Sequence, residues 1–265
     1  MLKIENVSKT FNKGTINEKV ALRGLNVELL EGDFVTVIGG NGAGKSTMLN
    51  MVAGVYPVDE GRIMVDDKDI TGQPDFKRAA YLGRVFQDPM MGTAADMELQ
   101  ENLAMAYRRG KKRGLRWGIS AKERKLYRER LATLGLGLED RMTTKVGLLS
   151  GGQRQAITLL MATLQSPKVL LLDEHTAALD PKTAAKVLDL TNQFVEQDNL
   201  TTMMVTHNMR DAIRMGNRLV MMHEGRIILD LDESQKAHMT VEDLLEQFEQ
   251  ASGRELANDR MLLTN

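Results

Sequence analysis

The chain has 265 residues, 42% hydrophobic and 27% charged, which is enough apolar material for one large domain or two modest ones. A net charge of −1 provides no overall field toward DNA or an anionic membrane, and the lack of cysteine excludes disulfide, thiolate and cysteine–zinc chemistry. No run of about 18 apolar residues is present to span a bilayer and Met1–Glu5 lacks a basic-then-apolar leader, so the sequence predicts a soluble, cytoplasmic protein.

Taken in order, residues 2–30 form short apolar segments, with Leu2, Ile4 and Val7 followed by Val20, Leu22, Leu25, Val27 and Leu29. Turn-formers at Asn12-Lys13-Gly14 and Glu31-Gly32-Asp33 punctuate them, which predicts an antiparallel β region. Phe11 ends the first segment among Thr10, Asn12 and Lys13. It suits either a stacking platform for adenine or a ring that closes the edge of the β layer.

Phe34-Val35-Thr36-Val37-Ile38 reads as a buried strand. Gly39-Gly40-Asn41-Gly42-Ala43-Gly44-Lys45-Ser46-Thr47 follows, with the spacing G-x-x-x-x-G-K-[ST] of a phosphate-binding loop, and a helix is expected over Lys45–Ala53. The glycines let successive N–H groups turn into one concavity, and the helix N-terminus adds its positive dipole end there. Lys45 is placed to reach the β- and γ-phosphates, and the Ser46 hydroxyl to ligate Mg²⁺.

Gly61–Asp66 and Tyr81–Phe86 read as strands. Pro89 blocks a helix, so Gln87 ends a strand and opens a loop of the kind that holds binding residues. Met97–Gly137 reads as helical, with a capping box at Ser120 and Glu123 and a stop at Gly135. It is expected to be an α-helical subdomain inserted into an α/β core. Within it, residues 108–117 carry six basic side chains and Trp117. That stretch reads as a solvated loop or, in the sharper alternative, as a contact with anionic headgroups or a membrane partner.

Leu149-Ser150-Gly151-Gly152-Gln153 opens a helix running to about Gln165, with Ser150 as N-cap and one buried face through Ala156, Ile157, Leu160, Met161 and Leu164. Its uncovered N–H groups form a second anion site. Val169–Asp173 is a continuous apolar strand that delivers Asp173 and Glu174 to its carboxyl end, where ligands gather in parallel sheets. Asp173 suits Mg²⁺, and Glu174 suits acceptance of a proton from attacking water. Asp180-Pro181 starts another helix. Thr201–Thr206 is a further strand with His207 directly after it. A hairpin follows over 217–230, then an amphipathic helix near Val241–Phe248. Of the 18 methionines, the pairs Met203-Met204 and Met221-Met222 lie in strands and read as core filling.

Phosphate loop, Gln87, Leu-Ser-Gly-Gly-Gln, Asp173-Glu174, Ala178-Leu179-Asp180 and His207 stand in one order. Over residues 1–230 they resemble the ATP-binding subunits of ABC transporters. The resemblance implies an α/β phosphate-loop core, mainly parallel sheet flanked by helices, over 1–88 and 166–232 with an antiparallel β region. It implies a helical subdomain over 89–165 and a helical tail over 233–265.

The same resemblance implies ATP and Mg²⁺ as cofactors. Phe11 is then the adenine-stacking aromatic, and Gln87 senses Mg²⁺ and attacking water and couples to the membrane subunit. Ser150, Gly151 and Gly152, with Gln153, close on the γ-phosphate held by the opposite subunit. Glu174 is the general base, His207 a γ-phosphate switch and Asp180 a link between sites. Expected partners are a second copy, transmembrane permease subunits holding the chain at the cytoplasmic membrane face, and an extracytoplasmic binding protein, with no nucleic acid. Asp-Glu-His-Thr at 173–176 is similar to ATPase subunits of bacterial uptake systems, some carrying amino acids. The alternative is a mechanical ATPase of the same superfamily acting on nucleic acid or ribosomes. The sequence departs from the family pattern in having His175 where proline is usual and Ala177 where serine is usual.

Overall fold

The computed structural model describes residues 1–111 and 118–252. The strands are β1 (Leu2–Phe11), β2 (Lys19–Leu29), β3 (Phe34–Ile38), β4 (Glu60–Val65), β5 (Lys68–Asp69), β6 (Leu82–Val85), β7 (Val169–Asp173), β8 (Thr201–Val205), β9 (Arg218–His223) and β10 (Arg226–Leu231). The helices are α1 (Lys45–Ala53), α2 (Asp75–Arg78), α3 (Leu99–Tyr107), α4 (Ala121–Ala132), α5 (Gly151–Thr163), α6 (Pro181–Asp198), α7 (Met209–Arg214), α8 (Glu233–Lys236) and α9 (Val241–Ser252). The described residues fall into two compact units, one within Met1–Arg78 together with 199–252, and one within Ala79–Asp198.

In the first unit, β1 pairs antiparallel with β2 and with β4, so Leu2 lies opposite both Leu29 and Val65. Alternation buries Leu2 and Ile4, and an irregularity in the register between Ile4 and Val7, where Asn6 has φ +49°, brings Val7 back to a buried position. A second set of strands runs β10-β9-β3-β8, with β3 parallel to both β8 and β9, and β9 antiparallel to β10. All five residues of β3 are buried, which explains the unbroken apolar run. Its one polar member, Thr36, donates its hydroxyl to the Ala212 carbonyl at 2.9 Å. Met203, Met204, Met221 and Met222 are buried as expected.

The tail contains two helices rather than the single one predicted, because the short α8 has no apolar periodicity to announce it. The amphipathic face of α9 buries Leu244, Leu245 and Phe248 in a core with Ile38, Met209, Leu219, Met221 and Leu231.

In the second unit, β6 and β7 are parallel neighbours. The helical stretch over 97–137 holds two helices, α3 and α4, on either side of the basic segment. The α4 start has the predicted capping box, the Ser120 hydroxyl accepting from the Glu123 amide at 3.2 Å. Part of the basic stretch, 112–117, lies outside the described residues. Of its described part, Arg108 donates to Glu123 at 2.9 Å, Arg109 donates to the Ala162 carbonyl at 3.2 Å, and the Lys111 ammonium sits 3.8 Å from the Tyr107 ring centre.

Candidate active site

The phosphate loop joins β3 to α1 within the first unit. Gly39 has φ +148°, and a Cβ there would overlap the Met222 carbonyl oxygen, so only glycine fits. The loop is braced by the backbone of the β9–β10 turn, where the Gly225 N–H donates to the Ala43 carbonyl at 3.0 Å and the Gly225 carbonyl accepts from Arg23 N–H at 3.0 Å. Around Gly42 the nearest atom to an added Cβ is the Lys19 ammonium nitrogen at 3.8 Å, so the concavity is open. Gly44 precedes α1 without a side-chain cap, leaving the helix start for an anion. Lys45 is buried, its ammonium donating to the carbonyls of Gly39 at 2.7 Å and Gly40 at 3.2 Å. Ser46 and Asn41 are exposed, and Thr47 is half-buried.

The other end of α1 depends on a residue the sequence reading passed over. Arg78, 1% exposed, donates to the carbonyls of Met51 and Val52 in the last turn and to those of Thr71 and Gln73, at 2.8–2.9 Å. A cation there supplies a donor to the Val52 carbonyl, adds a second to that of Met51, which also accepts from Gly54 N–H at 3.1 Å, and complements the helix dipole. Phe11, at the end of β1, is half-buried and packs edge-to-face on Tyr56 with centroids 5.2 Å apart. It closes the layer edge and keeps some surface exposed. His207 is two residues beyond β8, just before Asn208, whose side chain caps α7 by accepting from the Asp211 amide at 3.1 Å.

In the second unit, β7 ends at Asp173, and Glu174 turns the chain with φ +47°, a left-handed conformation that costs about 1 kcal/mol for a non-glycine residue. Both carboxylates are half-buried. The next residue, His175, is fully buried. Thr191 on α6 donates to the Val187 carbonyl at 2.9 Å, so its oxygen accepts from His175 Nε2–H at 3.1 Å. Where the resemblance expects proline, a side-chain hydrogen bond ties the turn to α6. Burial lowers the His175 pKa to about 4, so the ring is neutral.

β6 ends at Val85, two residues before Gln87, which is exposed. The parallel register pairs Val85 with Leu172, so the β6 and β7 strands end at neighbouring points of the sheet. Gln155 on α5 donates to the Phe86 carbonyl at 3.2 Å. Arg84 lies 3.5 Å from the Asp173 carboxylate and over the Phe86 ring. Neither contact follows from local patterning, although an arginine inside an apolar strand was a visible signal.

Ser150 caps α5 in a capping box with Gln153, its hydroxyl accepting from the Gln153 amide at 3.3 Å. Gly151 and Gly152 form the first turn, and a Cβ on Gly152 would overlap the Thr183 methyl of α6. Asp180 accepts from the Thr183 amide at 3.1 Å at the start of α6. The Thr183 hydroxyl and then that amide bond lower its pKa.

The donor chemistry fits a nucleotide and Mg²⁺. The uncapped α1 start and the open loop suit phosphate. Among the described residues no cluster of three His, Cys, Asp or Glu side chains is placed to cage a metal. A serine hydroxyl such as that of Ser46, in the first unit, and a carboxylate such as that of Asp173, in the second, are each hard oxygen donors of the kind that Mg²⁺ accepts. No helix among the described residues is long and apolar enough to cross a membrane.

Residues 22–177 match the family model described as ABC transporter. The tyrosine transport ATP-binding protein of Clostridioides difficile (strain R20291) is 44% identical over 251 residues, 95% of this chain and 100% of that protein. The dimeric structure of a post-hydrolysis state of the ATP-binding cassette MJ0796 bound to ADP and Pi has a TM-score of 0.75 at 31% identity, over 88% of this chain and 99% of that one. The ADP conformation of the cassette MJ1267 has a TM-score of 0.77 at 25% identity, over 96% and 99%. These likenesses bear out the expected α/β phosphate-loop fold with its antiparallel β region and helices. A family model over more than half of the chain and a relative matched along its whole length show that this chain belongs to the ABC transporter family, as one of its ATP-hydrolysing, nucleotide-binding subunits.

Proposed function

We propose that this subunit energises bacterial uptake of an amino acid, with Mg²⁺ as the metal and a second copy of the chain, permease subunits and an extracytoplasmic binding protein as partners. The observation that carries this reading is the end-to-end relation to a protein named for tyrosine transport. Other relatives are named for import of spermidine/putrescine or phosphonates, which removes support from the nucleic-acid alternative.

In this reading Lys45 leaves the Gly39 and Gly40 carbonyls to meet the β- and γ-phosphates. Ser46 and Asp173 hold Mg²⁺, which when bound neutralises charge on the phosphates. Glu174 orients the attacking water and takes its proton, Gln87 contacts that water, and His207 steadies the γ-phosphate. Phe11 stacks on adenine. Ser150, Gly151, Gly152 and Gln153 of the second copy contribute donors to the γ-phosphate, and Asp180 links the two sites. One phosphate loop and one such helix start per chain make two copies the complete enzyme.

Glu174→Gln tests the site. ATP should drive the variant into a stable dimer on size exclusion, with phosphate release reduced by about 100-fold or more. Full steady-state turnover in that variant would remove Glu174 from its role. Uptake of labelled aromatic amino acids at an unchanged rate in cells lacking the chain would refute the substrate class and leave the site chemistry standing.

A further inference from the structure

Arg84 stands in β6 between buried neighbours, with its side chain 16% exposed. Its Nη2 is 3.5 Å from Asp173 Oδ2 on β7, and its guanidinium carbon is 4.4 Å from the Phe86 ring centre. Phe86 is the residue before Gln87, and its carbonyl is held by Gln155, 1% exposed, on the helix that begins after Ser150. One cation therefore touches the carboxylate assigned to the metal and the ring at the root of the Gln87 loop.

We propose that Arg84 is a positioning residue that holds the Asp173 carboxylate until a divalent cation takes it, and that the guanidinium, already over the Phe86 ring, then rests on that ring alone and so passes metal occupancy to the loop beginning at Gln87. The proposal rests on Asp173 being a metal ligand. A guanidinium and a divalent cation compete for one carboxylate and repel each other in a half-buried setting. Arg84 then gives up its ion pair and keeps the face of Phe86, where a cation is attracted to the ring quadrupole. Because Gln155 fixes the Phe86 peptide, the adjustment is referred both to Gln87 and to α5.

The test is Mn²⁺ binding with ADP present, read by electron paramagnetic resonance on the full chain, with hydrogen exchange followed at residues 86–89. Arg84→Met should bind Mn²⁺ about five- to tenfold more tightly than the parent, since the competing cation is gone. Mere structural damage would weaken binding. In that variant Mn²⁺ should no longer change exchange at 86–89. Arg84→Lys keeps the charge without the planar stack. It should keep the Mn²⁺ affinity within about twofold and lose the exchange response, a result that stands even if the methionine variant fails to fold. Parent affinity in Arg84→Met, or an intact exchange response in Arg84→Lys, overturns the proposal while loss of Mn²⁺ binding in Asp173→Asn keeps the ligand reading. Undiminished Mn²⁺ binding in Asp173→Asn overturns both.

Discussion

Acidification should act on the turn after Glu174 through His175. The ring is fully buried and neutral, with Nε2–H donated to Thr191 and a pKa near 4 against 6.5 in the unfolded chain. Between those values the unfolded state binds a proton that the folded state refuses. Stability from the neutral ring is therefore complete at neutral pH and is lost as pH falls from 6.5 toward 4. The full difference amounts to about 3 kcal/mol, of which about 2 kcal/mol is gone by pH 5. Against a total of about 5–15 kcal/mol that loss is easily measured. The comparison is His175→Gln, whose amide still donates to Thr191 and does not titrate. Urea unfolding of both proteins at pH 7 and pH 5 should show the parent losing about 2 kcal/mol more than the variant. Equal losses would refute the reasoning, because the acid sensitivity would then lie in other groups.

Three further outcomes follow from the packing. Gly39→Ala should lower stability by about 3 kcal/mol or more and abolish nucleotide binding, since the new methyl would overlap the Met222 carbonyl; urea melts and equilibrium ADP binding check both. Arg78→Met should cost about 3–5 kcal/mol in the same melts, because carbonyls at the end of α1 lose their donors in a buried place. Tyr127→Phe should be neutral or stabilising by about 1 kcal/mol. The Tyr127 hydroxyl is buried without a hydrogen-bond partner, and its burial pushes the phenol pKa up to about 12. A clear loss of stability in Tyr127→Phe would show that the hydroxyl finds a partner in solution.

Features governed by local physics were readable from the residues alone. Strand β7 is a continuous apolar run ended by acids, β3 is one interrupted only by Thr36 and ended by glycine, and β8 carries Met203, Met204 and Val205 after two threonines; their limits lie within one residue of expectation. The capping boxes at Ser120 and Ser150 are patterns of four residues and were recognised as such or by their serine. The short helices α2, α7 and α8 and the two-residue β5 have too few residues for a period to emerge. Contacts set by register were out of reach. Arg84 meets Asp173 across 89 residues and Gln155 meets Phe86 across 69, and both depend on how β6, β7 and α5 align. His175 was visible as a departure from the family pattern, but its partner Thr191 was not. The proline position had become a hydrogen-bonded anchor, which only the packing of α6 reveals.

The bracing of the phosphate loop by the β9–β10 turn is made by main-chain atoms: Gly225 N–H on Ala43, Arg23 N–H on Gly225, and the Met222 carbonyl filling the space beside Gly39. Such a buttress is blind to most side chains and sensitive to length. Point changes at exposed positions of the hairpin can drift freely over generations, whereas inserting or deleting one residue there would shift every strut and slacken a pocket built nearly two hundred residues earlier in the chain.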